Sequence, residues 1–376
     1  MNNTDYIKIT EDFVEMEAIG KSLIEAKSTV YTPEVLAALY GSVQRHMQGA
    51  DKDEQERRLY RAIYNYWMYG DTIDEDFYLG FDSLNSEQKL EYATMRWRMA
   101  YYNFLNDTSL AHLFDNKEET FCLFKDYYHR DVIAVRDKDD LGAFEDFTNK
   151  HKSFVVKPNN MSTGVGIRKI TIPEGVPSSQ VFADIMQEYS GYTGNSPWRK
   201  KNTAVIIEEL IQQDEALARL HPGSVNGIRA TTVRVGGEVH IYQPWIKVGA
   251  QGAFVASAVL GGMDIGINAG TGVLETAGYG ELGETYQNHP DTGIKFIGYQ
   301  IPKWNELVAL AKELASGLPP RINYIGWDFV LTPKGWCVME GNFRGDFMWQ
   351  LFRQRGMRCE FEELIGWKST KKYWWE

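Results

Sequence analysis

The residues best suited to chemistry lie toward the C-terminus, in two strand-like runs, Tyr324-Ile-Gly-Trp-Asp328-Phe-Val-Leu-Thr332 and Trp336-Cys-Val-Met-Glu340-Gly-Asn342, joined by Pro333-Lys334-Gly335. Thr-Pro-Lys-Gly suits a type I turn closed by a left-handed glycine, so a hairpin with a three-residue loop is expected. Counting outward pairs Thr332 with Trp336 and Asp328 with Glu340, with Asn342 two positions further along the same face. Carboxylates that face each other repel, and the pairing is costly unless positive charge sits between them. A hard divalent cation with oxygen ligands fits, and Mg²⁺ bridging the phosphates of a nucleotide is the common case. The alternative is a solvated edge hairpin whose acids never meet.

Lys157-Pro-Asn-Asn-Met-Ser162-Thr163-Gly164-Val-Gly166 ends a strand in a cation and continues into a loop of small residues. Backbone N–H groups of such a loop reach phosphate oxygens. The lysine precedes the glycines, so this is not the GxxxxGK[ST] pattern, and a plain strand-to-strand turn is the alternative. Further on, Ile206-Ile-Glu208-Glu209-Leu210 leaves a strand and Glu215 follows. An acid at a strand end can accept from an adenine amino group while the adjoining backbone meets the ring edge, and a second acid can hold ribose hydroxyls; two surface acids are the alternative. In Asn226-Gly-Ile-Arg229-Ala-Thr-Thr-Val-Arg234 the arginines are an odd number apart, which sends them to opposite faces of one strand. Arg229 is assigned to the cleft, with Lys247 on the next strand as a further cation, because a guanidinium fork suits carboxylate or phosphate oxygens. A cross-strand ion pair is the alternative, above all for Arg234.

The elements that must position these groups form an α+β pattern. Residues 10 to 115 show apolar residues at three- and four-residue spacing and few glycines, which predicts helices. Thr32-Pro33-Glu34 reads as a capped helix start, and the aromatic stretches Leu59 to Tyr69 and Tyr92 to Leu105 predict two long helices packed through their rings. After Asn116 strands alternate with helices. Strands are expected at 132–135, 154–157, 168–172, 203–210, 227–235 and 239–248, the last two turning through Gly236-Gly237, and helices near 139–151 and 178–189. Antiparallel hairpins mixed with helices imply α+β architecture. The glycine-dense stretch 261–283 reads as a mobile loop.

A chain of 376 residues with 43% hydrophobic and 13% aromatic residues is large enough for two or three subdomains with packed cores. The net charge of −11 argues against non-specific binding of nucleic acid or anionic membrane. Cys122, Cys337 and Cys359 form no CxxC pair and read as reduced structural residues. Neither a signal peptide nor a membrane-spanning run is legible, which predicts a cytoplasmic protein without membrane insertion.

Taken in order, these segments resemble the ATP-grasp superfamily: Asn116-Lys117, Lys157 before its glycine loop, Glu208 with Glu215, and Asp328 followed by Glu340-x-Asn342. More closely, Tyr66-Trp-Met-Tyr-Gly70, Phe77-Tyr-Leu-Gly-Phe81 and Ser224-Val-Asn226-Gly-Ile-Arg229 are similar to the sugar-transfer-associated ATP-grasp family, over residues 60 to 345. The resemblance implies an ATP-grasp fold, in which two α+β subdomains clamp ATP beside a mainly helical N-terminal region. The segments would be 1–115 (helical), 116–202 (first subdomain, with the lid loop) and 203–376 (second subdomain, with the metal site). It implies Lys117 and Lys157 on the phosphates, with Lys125 as an alternative to Lys117, and the loop Ser162, Thr163, Gly164 and Gly166 as a lid over them. It further implies Glu208 at the adenine amino group, backbone of Glu209 and Leu210 at the ring, Glu215 at the ribose, and Asn226 and Lys247 beside the nucleotide. Asp328, Glu340 and Asn342 would bind Mg²⁺, with Arg229 on the transferring phosphoryl group and Arg344 serving the acceptor.

The function expected is an ATP-dependent carboxylate–amine ligase acting on small-molecule carboxylate and amine substrates through an acyl phosphate. In-line phosphoryl transfer asks the protein for positioning and charge neutralisation, which agrees with the lack of a GxSxG or Cys-His signature. The family name points to a sugar acid or amino acid in surface polysaccharide assembly. Trp198, Tyr242, Trp245, Tyr279 and Tyr299 read as packing residues, with stacking on a sugar ring as the alternative. A kinase on the same scaffold and a non-catalytic nucleotide-binding protein are the rival readings.

Overall fold

The computed structural model describes residues 8–161, 166–189, 203–345 and 347–373, with the backbone alone at 259. By its contacts the chain forms two units, Met1–Leu105 with Leu282–Glu284 and Asp346–Glu376, and Asn106–Glu281 with Thr285–Gly345.

The first unit is helical. Its longer helices are Phe13–Ala26, Pro33–His46, Lys52–Tyr69 and Met95–Leu105, and Trp349–Arg353 and Arg358–Ile365 from the C-terminal segment join them. Thr32 accepts from the Val35 N–H with Pro33 in the first turn, as the sequence predicts; such a cap stabilises a helix by about 1 kcal/mol. The two aromatic helices do not pack chiefly on each other. Lys52–Tyr69 packs on Phe13–Ala26, and Tyr64 and Tyr69 join Met16, Phe81 and Tyr92 in one core. Tyr101 of Met95–Leu105 instead meets Phe347, Phe361 and Trp367. The C-terminal aromatics supply the partner surface that spacing alone could not reveal.

The second unit holds two antiparallel sheets. The first contains β1 (Val132–Val135), β2 (Ser153–Pro158), β3 (Arg168–Thr171) and β4 (Val205–Glu209), in the order β1-β4-β2-β3. Helices Leu141–Lys150 and Ser178–Tyr189 cover it, their Phe144, Phe147, Phe182 and Ile185 packing with Phe154, Val156, Val205 and Ile207. The second sheet contains β5 (Gly227–Val235), β6 (Glu238–Val248), β7 (Met263–Ile267), β8 (Leu274–Tyr279), β9 (Thr285–Tyr286), β10 (Tyr324–Thr332) and β11 (Gly335–Asn342), in the order β11-β10-β5-β6-β7-β8-β9. Alternation on β10 sends Ile325, Trp327, Phe329 and Leu331 into a core shared with Leu307, Ala311 and Leu314 of the helix Trp304–Ser316. Asp328 is left on the opposite face.

Three sequence expectations change here. The glycine-dense stretch 261–283 is not a loop: β7 is buried throughout and β8 on alternate residues. Gly278 serves packing, since a Cβ there would sit 3.0 Å from Phe296 and 3.2 Å from Met263. The hairpin loop is one residue shorter than expected, because Thr332 pairs with Gly335 and Leu331 with Trp336, while Gly335 keeps its positive φ of 110°. An extra residue, Met339, then bulges between the pairs Phe329–Val338 and Asp328–Glu340, and restores the expected pairing of the two acids. Among the described residues Arg234 makes no cross-strand ion pair; its guanidinium donates to the carbonyls of Ala315, Leu318, Pro319 and Ile322 and to Asn323 Oδ1, fastening the end of the helix Trp304–Ser316.

Where β11 carries its chemical residues, Gly341 lies against the Phe114 ring, and a Cβ there would fall 2.6 Å from Cδ1. Gly341→Ala is expected to lower stability by about 1–3 kcal/mol through overpacking. An unchanged urea midpoint would remove this close approach from the account.

Candidate active site

Each site residue is delivered by a specific element of the second unit. Lys157 is the penultimate residue of β2 and Glu208 of β4, and the two strands are neighbours. Lys117 begins the helix Lys117–Phe124, capped by Asn116, whose side chain accepts from the N–H groups of Glu118 and Glu119. The Lys117 N–H donates to Asn159 O at 3.3 Å, and Glu118 N–H to Asn159 Oδ1 at 3.0 Å. Asn159 is 1% exposed, so the end of β2 and the start of that helix are sewn together.

The acids come from the other sheet. Asp328 sits on β10 between β5 and β11, paired with Arg229 on one side and Glu340 on the other, while Asn342 pairs with Gly326. The Met339 bulge matters here, since side chains two apart normally share a face. Trp336 and Val338 pack in the core, yet Glu340 and Asn342 emerge beside Asp328.

Asp328 is nearly sealed, and the protein supplies its counter-charge. Arg229 donates to it through Nε at 2.7 Å and Nη2 at 3.1 Å, Lys247 Nζ lies 3.2 Å from Oδ1, and Asn342 Nδ2 donates at 3.3 Å. Burial alone would raise its carboxyl; Arg229 and Lys247 outweigh that and hold it at about 2. Glu340 is matched by Lys117, whose Nζ lies 3.5 Å away and also donates to Met161 O. The facing acids therefore do not depend on a metal to coexist. This corrects the expectation that only Mg²⁺ and a triphosphate could neutralise them.

A second ion cluster lies on the four-stranded sheet. Lys157 Nζ is 2.5 Å from one Glu208 oxygen, and Arg130 Nε is 3.1 Å from the other. Burial would raise the Glu208 carboxyl, but Arg130 and Lys157 bring it down to about 2. Burial also pulls the Lys157 ammonium below its ordinary value, with Glu208 opposing. Each Glu208 oxygen is thus paired with a cation, which makes Glu208 the counter-ion of Lys157 in this structure.

Other predicted residues separate. Glu209 accepts from the Asp131 N–H at 3.1 Å, Leu210 follows β4, and Glu215 is exposed at the start of the short helix Glu215–Ala218. Asn226 is buried, and its side-chain amide donates to Leu217 O and His221 O, so it braces a loop. Gly166, at φ 76°, accepts from the Tyr189 hydroxyl. Arg344 and Lys125 are exposed, and of the two candidate lysines only Lys117 joins the acids. Ser162, Thr163, Gly164 and Trp198 lie outside the described residues. Trp245 is buried under the Arg229 guanidinium, Tyr242 is buried, and Tyr299 donates to Ala216 O, which are packing roles; Tyr279 is half-buried.

Sequence reading missed Arg130. It is buried, stacks on the Tyr128 ring, and donates to Val338 O at 2.7 Å as well as to Glu208, linking the two sheets. No spacing rule announces it, although a lone arginine two residues before an apolar strand could have prompted a search for a buried acid.

The arrangement brings Lys117, at the start of its helix, to Glu340 of the second sheet, with Lys157 within reach of the charge of the same acid. Asp328, Glu340 and Asn342 form a hard oxygen set that fits Mg²⁺, and the cations beside them fit phosphate oxygens. Among the described residues no helix is long and apolar enough to cross a membrane, and the three cysteines are free.

No curated protein matches the chain. Solved structures similar to it include the D-alanyl-alanine synthetase A of Vibrio cholerae O1 biovar eltor str. N16961, at 14% identity over 67% of this chain and 63% of that one, with a TM-score of 0.40. The ATP-grasp ligase PsnB complexed with minimal precursor, Mg and ADP is 14% identical over 70% and 61%, with a TM-score of 0.37. The N5-carboxyaminoimidazole synthetase of Staphylococcus aureus complexed with ADP is 9% identical over 71% and 56%, with a TM-score of 0.43. The chain thus spans less than two thirds of the length of each. Residues 96–364 match the family model described as sugar-transfer associated ATP-grasp. That match covers well over half of the chain, which belongs to the sugar-transfer associated ATP-grasp family.

Proposed function

We propose that this protein is an ADP-forming carboxylate–amine ligase: ATP phosphorylates a small carboxylate, an amine displaces the phosphate, and an amide, ADP and phosphate result. The observation that carries the reading is the approach of two lysines to the acid-bearing hairpin: Lys117 Nζ lies 3.5 Å from Glu340, the acid paired across the ladder with Asp328, and the charge of Glu340 also reaches Lys157. Phosphoryl transfer needs its partners held in line and its charge neutralised, with little covalent help. Lys117 and Lys157 take phosphate oxygens, and the four-stranded and seven-stranded sheets of the second unit act as the cores of the two clamping subdomains. Asp328, Glu340 and Asn342 are the ligands for Mg²⁺, which when bound neutralises charge on the phosphates.

Arg229 stabilises the transferring phosphoryl group, with Lys247 of the neighbouring strand beside the nucleotide. Backbone at Glu209 and Leu210 meets the adenine edge and Glu215 the ribose. The exposed Arg344 suits the acceptor carboxylate. The family's description, sugar-transfer associated, supports an acid or amine carried on a sugar, or an amino acid joined to one, and surface polysaccharide assembly is the setting we propose for it.

Incubation with Mg·ATP and a panel of amino acids and sugar acids is expected to release ADP and yield a product whose mass is that of acid plus amine less water. A product carrying a phosphoryl group on one substrate, with no amide, would replace the ligase reading with a kinase. Lys157→Met is expected to lower kcat/KM for ATP by at least about 100-fold, the scale of losing one charge-stabilising donor, with the circular dichroism spectrum unchanged. Activity within threefold of wild type would reject its role.

The buried acids also set an acid limit. Glu208 and Asp328 are held at about 2, below the roughly 4 of an unfolded chain, so their stabilisation is complete above the unfolded value and is lost as pH falls toward 2. Urea unfolding between pH 5 and 2 should show that loss, and a smaller one in Glu208→Gln. Equal slopes would contradict the buried pairing.

A further inference from the structure

We infer that Arg130 is a positioning residue whose fixed charge stays with Glu208 and so releases Lys157 to leave it for a nucleotide phosphate. The inference rests on the reading of Lys157 as a phosphate ligand. Lys157 is enclosed in this structure and shares Glu208 with Arg130, one cation on each carboxylate oxygen. A lysine that turns to a phosphate must abandon that carboxylate. Glu208 is 6% exposed, and a buried carboxylate stripped of its partners is strongly disfavoured. With only Lys157 beside it, Glu208 would hold the lysine back.

Arg130 removes that obstacle because it cannot follow. Its Nη1 donates to Tyr128 O at 3.1 Å and to Val338 O at 2.7 Å, and its guanidinium lies 4.3 Å from the Tyr128 ring centroid. These bonds leave Nε on Glu208 whether or not Lys157 is present, and an arginine does not lose its proton. The flexible stem of lysine suits the moving partner and the planar, multiply bonded arginine suits the stationary one. One cation is thereby shared between an acid and a ligand, while the other keeps the acid satisfied.

Calorimetric titration with Mg·AMPPNP, a non-hydrolysable ATP analogue, tests this in wild type, Arg130→Gln, Arg130→Lys and the double variant Arg130→Gln/Glu208→Gln. Arg130→Gln should weaken binding at least tenfold, since Lys157 is then the only counter-ion of Glu208. The double variant, which removes the acid as well, should regain most of that loss, and Arg130→Lys should recover affinity by restoring charge. A purely structural arginine would give no recovery when Glu208 is also neutralised. Arg130→Gln within twofold of wild type, or a double variant no better than it, overturns the inference. Should Arg130→Gln fail to fold, a tenfold loss in Arg130→Lys, with its melting temperature near that of wild type, overturns it instead. Wild type that binds no Mg·AMPPNP would reject the nucleotide reading itself, a distinct outcome.

Discussion

Two carboxylates enclosed by the protein, Glu208 in one sheet and Asp328 in the other, set the terms for everything around them. Neither is tolerable alone away from water, and each is met by two cations, Lys157 and Arg130 for the first and Arg229 and Lys247 for the second. Those demands fix which strands are neighbours, because both Lys157 and Arg229 lie on strands adjacent to the acid they serve. They also explain how a chain with a net charge of −11 concentrates positive charge at one place. Buried ion pairs are poor sources of net stability, so this use of charge on two sheets is better explained by chemistry than by folding.

A cluster whose cations are already matched by carboxylates has a further property. Its acids are held in place before any ligand arrives, so little ordering of those side chains is left for binding. The membership of the chain in the sugar-transfer associated ATP-grasp family gives the cluster a chemical context, and the residues supply the physical one: fixed donors on one side, hard oxygens on the other, and little exposed surface between them.

Much of the scaffold could be read from the chain. The helix Ser178–Tyr189 and the strand Gly227–Val235 lie where apolar periodicity placed them, and Gly236 and Gly237 turn with positive φ, since local chemistry decides such elements. The pairing of Asp328 with Glu340 was legible only because a shorter loop and a bulge offset each other. What could not be read was long-range. Nothing near Glu208 in sequence announces Arg130, and the partners of Tyr101 come from a segment far along the chain. The strands within 261–283 were hidden because Gly278 in β8 and Gly272 just before it make room for Phe296 and Trp304, a reason visible only once those rings are in place.

Asn159 has a mechanical consequence. By joining the end of β2 to the first turn of the helix Lys117–Phe124 through both its backbone and its side chain, it makes the backbone segments that carry Lys117 and Lys157 one piece. However far the two sheets spread or draw together, the gap between those two anchor points stays the same, like the jaws of a caliper locked by a screw. Only their joint distance from the opposing acids remains adjustable.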